Sequence, residues 1–224
     1  MIVFPSILEK TPEALFNQIK KLSKYYSHFQ IDIADGIFVN NKTVQIEEII
    51  SSFKRSNVLI FKHSSFEFHL MVKDYKTDIK KVLELKKIIN INTVLIHAFL
   101  SPNVKHLISN IEDLSFGLVL NPEDSVETIK TKYDLQKVPI IQIMSVIPGA
   151  QGNPFIPETL QKVEQLRNAN YRNKISLDGG INAITIPFIL SQKILPDILC
   201  PGSFLTKAEN LEERVLYLKE KAIA

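Results

Sequence analysis

The chain has 224 residues, 45% of them hydrophobic, with 27 Lys+Arg against 24 Asp+Glu and a formal net charge of +3. This length and apolar content can bury a sizeable core, which excludes a disordered chain, and the scattered lysines form no nucleic-acid-binding stripe. The single Cys200 excludes a disulfide framework and a multi-cysteine zinc site, while the lack of a long apolar run or of a signal-peptide pattern at Met1-Ile2-Val3-Phe4-Pro5 excludes a membrane partner and points to the cytoplasm.

In chain order, the strand-like runs are Ile2–Phe4, Phe29–Ile33, Phe66–Met71, Thr93–His97, Phe116–Leu120, Pro139–Ser145, Lys174–Asp178 and Asp197–Cys200. Helix-like spacings of three and four separate them. Leu15, Ile19 and Leu22 follow the first run; Ile79, Val82, Leu83 and Lys86 follow the third. Leu160, Val163 and Leu166 follow the sixth, and Leu211, Val215 and Leu218 the eighth. Thr11-Pro12-Glu13 predicts a helix start, with Asn103 and Asp124 as further starts. Strand–helix alternation with continuous apolar strands predicts a parallel sheet under helices. An open doubly wound sheet is compatible with this pattern. Eight repeats without a linker favour an α/β fold of the (β/α)8 TIM-barrel type, as one domain over residues 1–224.

Glycine is scarce, 7 of 224 residues against an ordinary share of about 7%. Gly36, Gly149, Gly152, Gly179, Gly180 and Gly202 all follow strands, at the rim where barrel enzymes build active sites; only Gly117 lies at the other end of a strand. The loops after strands seven and eight are a common phosphate site, which makes Gly179, Gly180, Gly202 and Ser203 candidates for it. Ordinary turn chemistry would also place glycines there.

Asp32 and Asp178 each close an apolar run at the same rim. A carboxylate there must be hydrogen-bonded, solvated or metal-bound, and two of them across a barrel mouth could serve as general base and general acid. Each alone also fits a turn or helix cap. Strand parity puts Glu67, His69 and Met71 on one face and His28, Gln30 and Asp32 on another. A His and two carboxylates make a fair divalent-metal set, although a lone strand His also fits a hydrogen-bonded core. Asp35 reads as a turn residue, Met71 and Met144 as packing, His97 as lacking a matched partner, and His63 and His106 as surface residues.

Six ordered motifs carry a resemblance to a known family. They are Phe4-Pro5-Ser6-Ile7-Leu8, Ile31-Asp32-Ile33-Ala34-Asp35-Gly36-Ile37-Phe38-Val39, Phe68-His69-Leu70-Met71-Val72, Met144-Ser145-Val146-Ile147-Pro148-Gly149, Leu177-Asp178-Gly179-Gly180-Ile181 and Gly202-Ser203. In order and spacing, from about residue 2 to 206, the chain resembles the ribulose-phosphate 3-epimerases.

The resemblance implies a ribulose-phosphate-binding barrel that interconverts D-ribulose 5-phosphate and D-xylulose 5-phosphate in pentose metabolism. By resemblance, Asp32 and Asp178 move the C3 proton and, with His69, hold a zinc, iron or manganese ion. Ser6, His69, Met71 and Met144 would line the substrate site. Gly149, Ala150, Gln151, Gly152, Gly179, Gly180, Gly202 and Ser203 would hold the phosphate. The implied partners are a phosphorylated ketose and further copies of the chain.

The chain departs from the family pattern at several points. Gln30 stands where the family has its other metal-binding His, two residues before the first Asp, and an amide is a poorer partner for zinc or iron. His28 lies about 6.6 Å further down the strand and does not replace it. Ala34 stands for a Met and Ile147 for a polar residue. The lid pattern Gly-Phe-Gly-Gly reads Gly149-Ala150-Gln151-Gly152. The alternative is therefore a diverged member that binds a sugar phosphate with weak or no epimerisation. A decarboxylase or aldolase-like relative is disfavoured, because Phe66-Glu67-Phe68-His69 lacks the lysine those enzymes carry.

Overall fold

The computed structural model describes residues 1–55, 61 and 63–222. Nine strands form one parallel sheet: β1 (Ile2–Val3), β2 (Ser6–Ile7), β3 (His28–Ala34), β4 (Ser65–Met71), β5 (Asn90–His97), β6 (Ser115–Leu120), β7 (Ile140–Met144), β8 (Lys174–Asp178) and β9 (Ile198–Cys200). β1 pairs with β9 and β2 with β3, so the two ends of the sheet are adjacent in sequence and the sheet closes on itself. β1 and β2 are the halves of one barrel strand, interrupted at Pro5, which has no N–H to donate. The ladder continues across the break: Phe4 N–H reaches the Leu199 carbonyl (2.9 Å), Ser6 N–H that of Pro201 (3.2 Å), and Gln30 N–H that of Pro5 (2.9 Å). The result is an eight-position (β/α)8 barrel, as the alternation predicted.

The helices are α1 (Pro12–Leu22), α2 (Ile46–Arg55), α3 (Tyr75–Lys86), α4 (Val104–Asn110), α5 (Val126–Lys132), α6 (Gln161–Asn168), α7 (Thr185–Leu190), α8 (Ser203–Thr206) and α9 (Leu211–Ala222). Thr11 caps α1 by accepting from Ala14 N–H, Pro12 occupies the first turn, and Leu15, Ile19 and Leu22 are buried. Asn103 caps α4 through His106 N–H. The expected start at Asp124 is corrected by one residue. Ser125 is the N-cap of α5, while the Asp124 carboxylate reaches back to Asn121 N–H (2.7 Å) and fastens the preceding loop. Leu160 belongs to a 3₁₀ turn, Pro157–Leu160, that leads into α6.

Strand parity divides the buried side chains into two shells. On β3, Phe29, Ile31 and Ile33 face outward into the large apolar layer beneath the helices. Gln30 and Asp32 face the barrel interior. That interior has an apolar part, including Leu95, Val119, Ile140, Met144, Ile198 and Cys200, and a buried polar part with Gln30, Asp32, Glu67, His69, His97, Gln142, Ser176 and Asp178.

Gly117 pairs in register with Leu95 in the apolar part. A Cβ there would lie 2.5 Å from Ile140 Cγ2 and 2.7 Å from both the Ile140 carbonyl oxygen and Leu95 Cδ2. Gly117→Ala is therefore expected to overpack the barrel and cost about 1–3 kcal/mol. Thermal unfolding would report this as a fall in Tm of roughly 2–4 °C per kcal/mol.

Candidate active site

Strand register assembles the site. Asp32 pairs with His69 across β3 and β4, and Asp178 ends β8 beside Met144 and Cys200. Asp32, His69 and Asp178 are buried, and their potential ligand atoms lie within 4.8 Å of one another, an arrangement that could hold a metal ion. His69 Nδ1 is 3.1 Å from Asp32 Oδ1 and 3.6 Å from Asp178 Oδ2. Gln30 Nε2 donates to both carboxylates, at 2.9 Å to Asp32 Oδ1 and 2.7 Å to Asp178 Oδ2. Gln142 Nε2 gives Asp178 Oδ2 a second amide contact at 3.1 Å, and Ser176 Oγ donates to Gln142 Oε1 at 3.2 Å.

The electrostatics separate the groups. Burial, reinforced by the charge of Asp32, pushes the Asp178 carboxyl up to about 7, against the opposing effects of His69 and Gln30. Burial pulls the His69 imidazole down, but its hydrogen bond to Asp32 and the surrounding carboxylates outweigh this and hold it above its ordinary value. His97 lies well below its ordinary value because of burial, with the neighbouring His69 adding to the effect.

His97 is not an isolated strand residue, contrary to the sequence reading. Its Nε2 is 2.9 Å from His69 Nε2, and the two rings stack with centroids 5.0 Å apart. One nitrogen of that contact must donate and the other accept. When His69 donates its Nε2–H to His97, its Nδ1 lone pair is left facing the carboxylates. This tautomer is the one required for metal ligation through Nδ1. The donor set therefore fits a divalent ion: one imidazole nitrogen and two carboxylates. Phe38 closes the far side of His97, with centroids 4.6 Å apart.

Above the acids, a pocket is lined by Ser6, Leu8, Asp32, His69, Met71, Met144, Val146, residues 148–153, Asp178, Gly179, Gly180, Ile181, Gly202 and Ser203. Every candidate glycine after strands six to eight thus borders one space, together with Ala150 and Gln151. Gly179 has φ +112°, and a Cβ would meet Val146 Cγ2 at 2.5 Å, so the turn requires glycine. Ser145 Oγ secures this turn by donating to the carbonyls of Asp178 (3.0 Å) and Gly179 (2.7 Å). A Cβ on Gly202 would lie 2.9 Å from Ser6 Oγ and 3.1 Å from Gln151 Nε2, so these three residues converge.

Several residues lie apart from the pocket. Asp35 accepts from the N–H groups of Ile37, Phe38 and Lys73, which holds its carboxyl below the usual range although burial acts the other way. This is a loop-building role. His28 sits lower in the barrel, against Phe4 and 2.6 Å from Ser65 Oγ. Ile147 is exposed on the rim, and His63 and His106 are exposed. Sequence reasoning missed Gln142, Ser176 and the role of His97. Only their inward parity could have marked them.

A closed parallel barrel with paired acids and glycine loops at its C-terminal rim defines a (β/α)8-barrel enzyme. Residues 2–203 match the profile of the ribulose-phosphate 3 epimerase family, and the chain belongs to that family, an isomerase family of carbohydrate metabolism. It is 30% identical to the ribulose-phosphate 3-epimerase of Chlamydia pneumoniae, covering 98% of this chain and 94% of that one. It is also 30% identical to that of Methanocaldococcus jannaschii, covering 97% and 89%. Among solved structures, 3-hexulose-6-phosphate synthase from Salmonella typhimurium shares the fold, with a TM-score of 0.63 at 12% identity over 100% of this chain and 99% of that chain. Among the described residues, no helix is long and apolar enough to cross a membrane.

Proposed function

We propose that this chain interconverts D-ribulose 5-phosphate and D-xylulose 5-phosphate by moving the proton at C3. The observation that carries the reading is the buried acid pair. Asp32 and Asp178 come from different barrel strands, reach the same pocket, and are bridged by one amide. Epimerisation requires one group to take a proton from one face of the carbon and another to deliver a proton to the opposite face. Asp178, pushed up to about 7, is protonated in about half of the molecules at neutral pH, and that form supplies the acid while Asp32 serves as the base; the roles exchange in the reverse direction. Gln142 orients the Asp178 carboxyl, and in the ion-free site Gln30 and His69 also hold the two carboxylates.

Asp32, His69 and Asp178 would hold a zinc, iron or manganese ion, which as a Lewis acid stabilises negative charge on the substrate oxygens. Met71 and Met144 form a water-poor wall, and Ser6 offers a hydroxyl to the sugar. The phosphate lies on the backbone of residues 149–152, Gly179, Gly180, Gly202 and Ser203, where peptide dipoles supply the positive field.

Incubation with D-ribulose 5-phosphate should yield a mixture with D-xylulose 5-phosphate, followed by NMR. Binding without conversion would favour the reading of a diverged sugar-phosphate-binding member. Gly202→Ala, which puts a methyl between Ser6 and Gln151, should raise KM by about tenfold or more and change kcat less. Equal loss in both terms, or none, would remove Gly202 from the phosphate cradle.

A further inference from the structure

We propose that Gln30 is itself a metal ligand, through its carboxamide oxygen, and that it tilts the site away from zinc toward an oxygen-preferring ion such as manganese(II). The inference rests on the metal site proposed above.

The first observation is spacing. The terminal amide atom of Gln30 that faces the acids is 2.9 Å from Asp32 Oδ1 and 2.7 Å from Asp178 Oδ2, while His69 Nδ1 is 3.1 and 3.6 Å from the same two atoms. Donors held about 2.1 Å from a common ion lie roughly 3.0–3.4 Å apart in octahedral or tetrahedral arrangements. The observed separations straddle that range within a few tenths of an ångström, which places Gln30 at a fourth ligand position beside the three ionisable groups.

The second observation concerns orphaned acceptors. With Nε2 on the carboxylates, Gln30 Oε1 is buried without a hydrogen-bond partner. Glu67, the residue paired with Gln30 in register on β4, also carries a buried oxygen, Oε1, without a partner. Two unsatisfied buried acceptors on paired residues are costly, and a half-turn of the carboxamide replaces one of them with a donor. The rotated amide presents Oε1 to the acid cluster, where a cation between the oxygens makes the arrangement favourable, and turns Nε2–H toward the side of Glu67. The amide therefore has two states. Without an ion its N–H groups bridge the acids; with one, its oxygen joins them.

The chemical consequence is a harder donor set. One imidazole, two carboxylates and an amide oxygen suit manganese(II) better than a set with a second imidazole, which suits zinc or iron.

The test is direct binding of Mn²⁺ and Zn²⁺ to the chelator-stripped protein, by calorimetry and by the loss of free Mn²⁺ EPR signal, without sugar phosphate. Wild type should bind one Mn²⁺ per chain. Gln30→Leu should weaken Mn²⁺ binding by about tenfold or more, and Gln30→His should raise the zinc-to-manganese affinity ratio by about tenfold or more. Circular dichroism of each variant establishes that it folds. Absence of Mn²⁺ binding by wild type, an unchanged Mn²⁺ affinity in Gln30→Leu, or an unchanged ratio in Gln30→His would each overturn the assignment. Because no sugar is present, a chain that binds manganese without epimerising separates this inference from the proposed reaction.

Discussion

Replacing Asp178 by Asn is expected to reduce 3-epimerisation by about 10³-fold or more while leaving the fold and the phosphate loops in place. An amide of nearly the same shape keeps contacts with Gln30 and Gln142, but it can neither carry nor accept the transferred proton. The loss should fall on kcat, since the proposed phosphate contacts lie at Gly179, Gly180, Gly202 and Ser203 rather than at the carboxyl itself. Asp32→Asn should lose turnover to a similar extent, and the double variant little more, because the two acids act as a unit. Near-normal turnover in either single variant would refute the acid–base assignment.

The same substitution should have the opposite effect on stability. In chelated protein, Asp178 titrates at about 7 when folded, against 3.8 as its ordinary value. Between those values the folded chain holds a proton that the unfolded chain has released. Asp178 therefore contributes no penalty below about pH 4; the penalty grows as pH rises and is complete above about pH 7. Its full size is on the order of 4 kcal/mol. His69, held above its ordinary value, contributes stability at low pH that is also lost as pH rises, so the two trends add. Asp178→Asn should accordingly be more stable than wild type at pH 8 in chelator, with Tm higher by roughly 8–16 °C, and the difference should vanish near pH 4. A variant less stable than wild type at pH 8 would show that the buried carboxyl is not held against its preference. Carboxyls placed for chemistry at the expense of stability are a common mark of active sites.

The fold was legible because most inner strands are buried and largely apolar, such as Phe116 to Leu120, with turn residues at their ends. The break at Pro5 was not, since the closing of β1 and β2 into one strand depends on two different partners, β9 nearly two hundred residues away and β3. The α5 cap shifted from Asp124 to Ser125 because both residues can cap a helix, and the competing demand of Asn121 N–H claimed the aspartate. Within the site, Asp32, His69 and Asp178 stood out as polar residues closing apolar runs. His97 closes one as well, but its partner across two neighbouring strands becomes visible only when the barrel register is known. The significance of Gln30 as a departure was readable. Its bridge between both acids, and the orphaned oxygens of Gln30 and Glu67, required coordinates.

The central claim, that two acids exchange the C3 proton with solvent from opposite faces, is tested most directly by incubating wild-type protein with D-ribulose 5-phosphate in deuterated water and following C3 by NMR. The account predicts that each molecule of D-xylulose 5-phosphate formed carries solvent deuterium at C3, because the group that delivers the proton is not the one that removed it. Product that retains the original C3 proton, or no exchange at C3 in the presence of manganese, iron or zinc, would contradict it.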